Sequence, residues 1–139
     1  MELNIVDSIK TNNFEDPNMA IVIGELWQRA GAMLQGYEGM IYGVYDKYMS
    51  NYKGDYRLSV AIEASNSGET ISIKDEQQYR VFSVDKEIEQ GVYKMWQIIW
   101  GLEEAGELQR AYTVDFEKYT PTGDIEIYIA IKKKIELHY

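Results

Sequence analysis

Two strand-like runs near the C-terminus carry the side chains with the most chemistry to offer. Asp115-Phe116-Glu117-Lys118-Tyr119 and Ile125-Glu126-Ile127-Tyr128-Ile129-Ala130-Ile131 are separated by Pro121-Thr122-Gly123-Asp124. A short polar gap holding Pro and Gly between two strand-like runs reads as a hairpin turn. In the second run Ile125, Ile127, Ile129 and Ile131 alternate onto one face, and Glu126, Tyr128 and Ala130 onto the other. The isoleucine face needs a helix or another sheet over it. A carboxylate beside an aromatic beside a small residue suits a cleft wall; a solvated outer face is the plainer alternative. Lys118 adjoins Glu117 in sequence, but neighbours on a strand point to opposite faces, so it is a poor counter-ion for that carboxylate.

Other routes to chemistry are closed by composition. The chain has no cysteine, which excludes disulfides and thiolate metal sites. Its single histidine, His138, sits at the very end, so no histidine base or histidine-rich metal cluster is expected inside the fold. A metal would have to be held by carboxylates alone, and no calcium-binding loop pattern is present. There is also no nucleophile elbow and no phosphate loop. No cofactor is expected.

The 139 residues are one domain by the usual size range and suffice to bury a real core. A net charge of −9 argues against direct nucleic-acid binding, which needs clustered Lys and Arg. The Lys132-Lys133-Lys134 run is short and reads as a solvated strand end. The N-terminal residues lack the basic start and apolar run of a signal peptide, and nothing approaches a membrane span, so a cytoplasmic protein is expected. Tyr and Trp, at 12 and 3 residues, outnumber the 3 Phe. Such side chains pair a large apolar body with a polar handle and suit surfaces that bind ligands and also meet water, although tyrosines also sit comfortably on strands.

Stepping along the chain, residues 2–10 alternate as a first strand, and Asp16-Pro17 is a break or helix entry. From about Met19 the period turns helical, with Ile23, Leu26, Trp27, Ala30, Met33 and Leu34 on one stripe and Gly36 as the stop. Gly24 and Gly31 weaken this helix, which points to close packing there. Residues 39–49 form an aromatic strand holding Tyr42 and Tyr45, and Tyr56 to Ala64 a further strand. A polar loop from Ser65 to about Glu76 marks the boundary between halves. Gln78 to Val84 is again a strand, and Asp85 is placed to cap the next helix. That helix carries Ile88, Val92, Met95, Trp96, Ile99 and Leu102 on its stripe, and Tyr93, Trp96 and Trp100 fall at i, i+3 and i+7. Gly106 ends it, and Ala111 to Tyr119 pairs with Ile125 to Ile131.

The two halves align: Leu26-Trp27-Gln28 with Met95-Trp96-Gln97, Tyr45-Asp46-Lys47-Tyr48 with Phe116-Glu117-Lys118-Tyr119, and Leu58 to Ile62 with Ile127 to Ile131. Each half, about 1–65 and 76–134, reads strand, helix, strand, strand. The fold class is therefore α+β: a duplicated βαββ unit, an antiparallel sheet with two main helices, and a cleft at the seam between the copies.

The βαββ-βαββ order, the Trp of the first helix, the Trp-rich second helix, the run Val114 to Tyr119 and the closing Glu126-Ile127-Tyr128-Ile129 resemble the GyrI-like effector-binding domains. These are the drug-sensing parts of bacterial multidrug and AraC-type transcription regulators. The resemblance covers nearly the whole chain and extends to single-domain members without a DNA-binding helix-turn-helix, some of them encoded on mobile gene cassettes. It implies binding of amphipathic, often cationic, aromatic molecules between the repeats. It further implies a ligand-contacting Glu on the penultimate strand, here Glu117, and a Glu-x-Tyr on the last strand, here Glu126 and Tyr128. Ala130 departs from the family, which often has Pro there; that should alter the strand edge more than the cleft.

Tyr42, Tyr45, Tyr93 and Trp100 are added as candidate cleft walls, and Trp27 as a ligand contact whose alternative is plain core packing. Tyr45 and Phe116 hold equivalent repeat positions and could simply pack the seam. Two other readings stand beside a small-molecule binding module. One is a small hydrolase on the same fold, using Glu117 with Tyr45 or Tyr128 as base and acid. The other is an inhibitor of a protein partner, through an acidic surface that mimics DNA.

Overall fold

The computed structural model describes residues 1–63 and 68–132. Ala64, the Ser65-Asn66-Ser67 start of the polar loop, Lys133, Lys134 and His138 lie outside the described residues. Seven strands and two helices follow one another as β1 (Glu2–Thr11), α1 (Met19–Met33), β2 (Ile41–Asp46), β3 (Tyr56–Ile62), β4 (Thr70–Ser72), β5 (Tyr79–Val84), α2 (Gly91–Glu104), β6 (Asp115–Tyr119) and β7 (Ile125–Ala130). The strands form one antiparallel sheet in the order β4-β1-β3-β2-β6-β7-β5. Read outward from the central β2–β6 pair, the order is β3 then β1 on one side and β7 then β5 on the other. Equivalent strands of the two halves thus hold mirrored places.

Register decides what faces what. Val60, Gly43, Glu117 and Ile127 pair across four adjacent strands and therefore share one face. The next row, Ser59, Val44, Phe116 and Tyr128, belongs to the opposite face. Both helices lie on the first face. Leu26 and Ala30 of α1 pack with Tyr56, Leu58 and Val60. Trp96 and Ile99 of α2 pack with Ile127, Ile129 and Leu108. The isoleucine alternation of β7 is satisfied in this way.

The second face is buried too. Leu3 of β1, Tyr42 and Val44 of β2, Ala61 of β3, Ile71 of β4 and Phe116 of β6 form one cluster, with Tyr79 and Tyr128 against it. Strands that stand apart in the sheet order meet there because the sheet curls. Tyr128 stacks on Phe116 with ring centroids 4.6 Å apart. This is why Glu126, Tyr128 and Ala130 do not form the cleft wall that alternation allowed: their face closes on itself.

Four local expectations need correction. The loop from Ser65 to Glu76 contains β4, whose Ile71 pairs with Leu3. The helix does not begin at Asp85; Asp85 instead accepts the Glu87 N–H, 3.0 Å, in a turn that ends at Gln90 with φ 56°. Here the chain doubles back so tightly that a Cβ on Gly91 would lie 2.7 Å from the Asp85 carbonyl oxygen, and Ile88 is left exposed. Strand β6 starts at Asp115, not Ala111, because Tyr112 adopts φ 55° and interrupts the extended run. Finally, no close packing surrounds Gly24 or Gly31, since nothing lies within 4 Å of an added Cβ at either, and Met33 points outward.

Candidate functional site

A cavity of about 650 Å³ opens between α1 and α2 above the β2–β6 seam, within the usual range for small-molecule sites. Its walls follow from the two helical periodicities. Met19, Ala20, Ile23 and Gly24 form the α1 wall, and Val92, Tyr93, Trp96 and Trp100 the α2 wall. The floor is Tyr45, Tyr56 and Glu117; Tyr48, Tyr52 and Arg110 close one end. Phe14 stands over the rim, with its ring 5.5 Å from that of Trp100 and 5.7 Å from that of Tyr52.

Glu117 is the chemical centre of the floor. It is 2% exposed. Its Oε2 accepts from the Tyr45 hydroxyl and the Trp96 indole N–H, both at 2.7 Å, and its Oε1 accepts from the Tyr119 hydroxyl at 2.7 Å. Burial pushes the Glu117 carboxyl above the ordinary range, against the pull of those three hydrogen bonds. Burial, with the nearby carboxylate, also holds the Tyr45 and Tyr119 phenols protonated. All three donors are therefore neutral, and among the described residues no cation pairs with Glu117.

Asp115 lies two residues earlier on the same strand and face, and its situation is opposite. It is fully buried, and accepts from Arg110 Nη2 at 2.8 Å, from the Tyr48 hydroxyl at 2.5 Å and from the Ala130 N–H at 2.7 Å. Arg110 in turn reaches Glu103 at 3.4 Å and lies over the Tyr112 ring, 4.4 Å from its centroid. One of two neighbouring buried carboxylates is thus neutralised by the protein and the other is not.

The eight candidate side chains do not share one cavity. Glu117, Tyr45, Tyr93 and Trp100 line it. Trp27 is beside it, edge-on to Tyr119 at 5.2 Å and close over Gly43. Tyr42, Glu126 and Tyr128 are on the other face of the sheet. There Tyr42 donates to Glu63 at 2.6 Å and Tyr128 to Glu126 at 3.4 Å. Trp96 is not among the eight candidates, although its place between Tyr93 and Trp100 on one helical flank was a signal. The Asp115–Glu117 pair, two residues apart on one strand face, was a second. Among the described residues no group of three or more His, Cys, Asp or Glu is placed to hold a metal ion, and no helix is long and apolar enough to cross a membrane.

With this geometry in place, comparison with known proteins decides the family. A model of the integron-associated effector binding proteins, Cass2, matches residues 9–131. The chain belongs to this family. The matched segment contains every residue that lines the cavity. The structure is also similar to an integron cassette protein from the mobile metagenome of Vibrio cholerae, with a TM-score of 0.74 and 27% identity over 95% of this chain and 90% of that one. Among curated proteins none matches the sequence. The α+β architecture of two helices on a curled seven-stranded antiparallel sheet is that of this cassette protein. As a Cass2 effector-binding protein the chain has a ligand-binding role.

Proposed function

We propose that the protein binds an amphipathic, cationic aromatic molecule in the cavity between α1 and α2, with Glu117 as its counter-charge. One observation carries the reading: a carboxylate that is 2% exposed, held by three neutral donors, with no cation paired to it among the described residues. A carboxylate offers about four acceptor positions and three are in use, so one remains for a ligand N–H or for close approach of a quaternary nitrogen. Trp96, Trp100, Tyr93 and Tyr45 line the same cavity, and the faces of such rings attract cations. The apolar α1 wall of Met19, Ala20 and Ile23 suits the hydrocarbon side of the same molecule.

The test is a titration with rhodamine 6G followed by quenching of tryptophan fluorescence, on the wild type and on Glu117→Gln. The wild type binds the dye. Glu117→Gln keeps its circular dichroism and binds roughly tenfold or more weakly, since a desolvated charge contact and its cation–π surroundings act together. Equal affinities for the two proteins remove Glu117 from the site.

A further inference from the structure

Four of the residues that line the cavity are also open to solvent and so mark its mouth: Ala20 and Gly24 on α1, Gln90 just before α2, and Tyr93 on α2. No Cα of α1 lies within 8 Å of one in α2, so the mouth is a slot between helices that stand apart. The α2 side carries the Tyr93 ring, 48% exposed and edge-on to Trp100 with centroids 6.1 Å apart. The α1 side carries only a methyl group and a hydrogen, because Ala20 and Gly24 are four residues apart and share a helix face. Nothing local calls for glycine at residue 24. Its φ is not positive, and nothing lies within 4 Å of an added Cβ. Glycine inside a helix is nevertheless destabilising against alanine or leucine. What the missing side chain leaves is room at the mouth.

From this arrangement we infer that Gly24 is a specificity-determining residue, which keeps the mouth open for the outer end of a planar, fused-ring ligand. The inference rests on the reading of the cavity as a cation site and narrows its ligand class. The charged end meets Glu117, which is 2% exposed on the floor, and the far ring passes out between Gly24 and Tyr93. A flat ring suits that passage. It can lie against bare helix backbone on the α1 side and meet the Tyr93 ring on the α2 side, where aromatic pairs gain beyond the area they bury. A branched side chain at residue 24 would stand in the place of the far ring. A smaller cation held at the floor would leave the mouth empty and would not sense that side chain. Gly31 makes the natural control: it too has nothing within 4 Å of an added Cβ, but it does not line the cavity.

The experiment compares N-methylquinolinium, with two fused rings, and N-methylphenanthridinium, with three, by calorimetry at neutral pH on the intact protein. Their uncharged parents quinoline and phenanthridine are measured in parallel. In the wild type the third ring is expected to tighten binding roughly five- to tenfold, as the apolar area of one more ring is covered. Gly24→Leu puts a good helix former into empty space, so it folds, and circular dichroism checks this. In this variant the three-ring preference is lost while quinolinium affinity is unchanged. Gly31→Leu keeps the preference. The inference is overturned if the wild type does not prefer three rings, or if Gly24→Leu binds the three-ring compounds as tightly as the wild type or more so. It is also overturned if Gly24→Leu weakens both ring sizes equally, or if Gly31→Leu loses the preference as well. If the preference and its loss in Gly24→Leu are seen with the uncharged parents, but neither cation binds, the cation reading fails and the role of Gly24 stands. No binding of any of the four compounds overturns both.

Discussion

Tyr45 and Glu117 lie 72 residues apart in the chain and meet through a 2.7 Å hydrogen bond across the seam between its halves. The phenol is fixed by β2 and the carboxylate by β6, paired directly in the middle of the sheet. Tyr45→Phe deletes one of three donors to a buried carboxylate without changing the ring. A hydrogen bond to a charged group contributes about 1.5–3 kcal/mol, and one to a neutral partner about 0.5–1.5 kcal/mol. Urea unfolding should therefore show a loss of the larger size at mildly alkaline pH and of the smaller size in acid, where Glu117 is protonated. An identical loss at both pH values would contradict an ionisable acceptor at this bond.

Cation binding should depend on pH with a definite sign. The groups facing Glu117 are Tyr45, Tyr56, Tyr119 and Trp96, and burial raises all three phenols, so they stay protonated through the acid and neutral range. Arg110, at the end of the cavity, is charged throughout. Glu117 titrates above the ordinary carboxyl range. As pH falls through its raised value the counter-charge disappears, and affinity for a cationic dye should fall by up to tenfold per pH unit once the carboxyl is mostly protonated. A neutral aromatic of similar size should bind without that slope. Titrations across the acid range decide it; a flat profile for the cation would show that another group supplies the charge.

Much of the scaffold was legible in the sequence, and the site only in part. Alternation in β7 and the stripes of α1 and α2 follow from burial on one face, which period alone reports. Period does not say which face of a curled sheet holds the cavity. That is why Tyr128, rightly placed opposite the isoleucines with Glu126, ends against a second core while Glu117 faces the helices. Strand β4 has a single buried residue, Ile71, and exists only through pairing with β1 far away in sequence. Arg110 precedes β6 in an irregular segment, and no spacing rule shows that it folds back on Asp115.

Gly43 is where the seam leaves room for the site. It pairs with Glu117, and a Cβ there would lie 3.0 Å from Glu117 Oε1 and 3.2 Å from Trp27 Cζ2. The carboxylate is tied by Tyr45, Trp96 and Tyr119 and cannot easily retreat. Gly43→Ala should thus cost about 1–3 kcal/mol, the usual range for overpacking. It should also weaken dye binding, because the carboxylate must shift to make space. Chemical denaturation and the dye titration measure the two effects. Wild-type values in both would mean that Trp27 and Glu117 move aside freely.

Glu117→Gln should leave the protein more stable as it weakens binding. The sign follows from linkage. A carboxyl whose folded pKa is raised above the ordinary 4.5 binds its proton more tightly in the folded state. Below the ordinary value the folded and unfolded forms are both protonated, and the group contributes nothing. As pH rises from there through the raised folded value, the unfolded chain ionises first and the fold is progressively disfavoured; above the folded value the effect is complete. Glutamine removes it. Its carbonyl oxygen can accept from Tyr45 and Trp96 as Oε2 does, and its amide can donate to Tyr119, whose hydroxyl turns to accept. Thermal unfolding across pH should therefore show the variant above the wild type at neutral pH, with the gap closing in acid. A variant that is less stable at every pH would mean that the three donors favour the charged form more than burial opposes it. Glu117 would then be a structural carboxylate, with no need of a ligand to neutralise it.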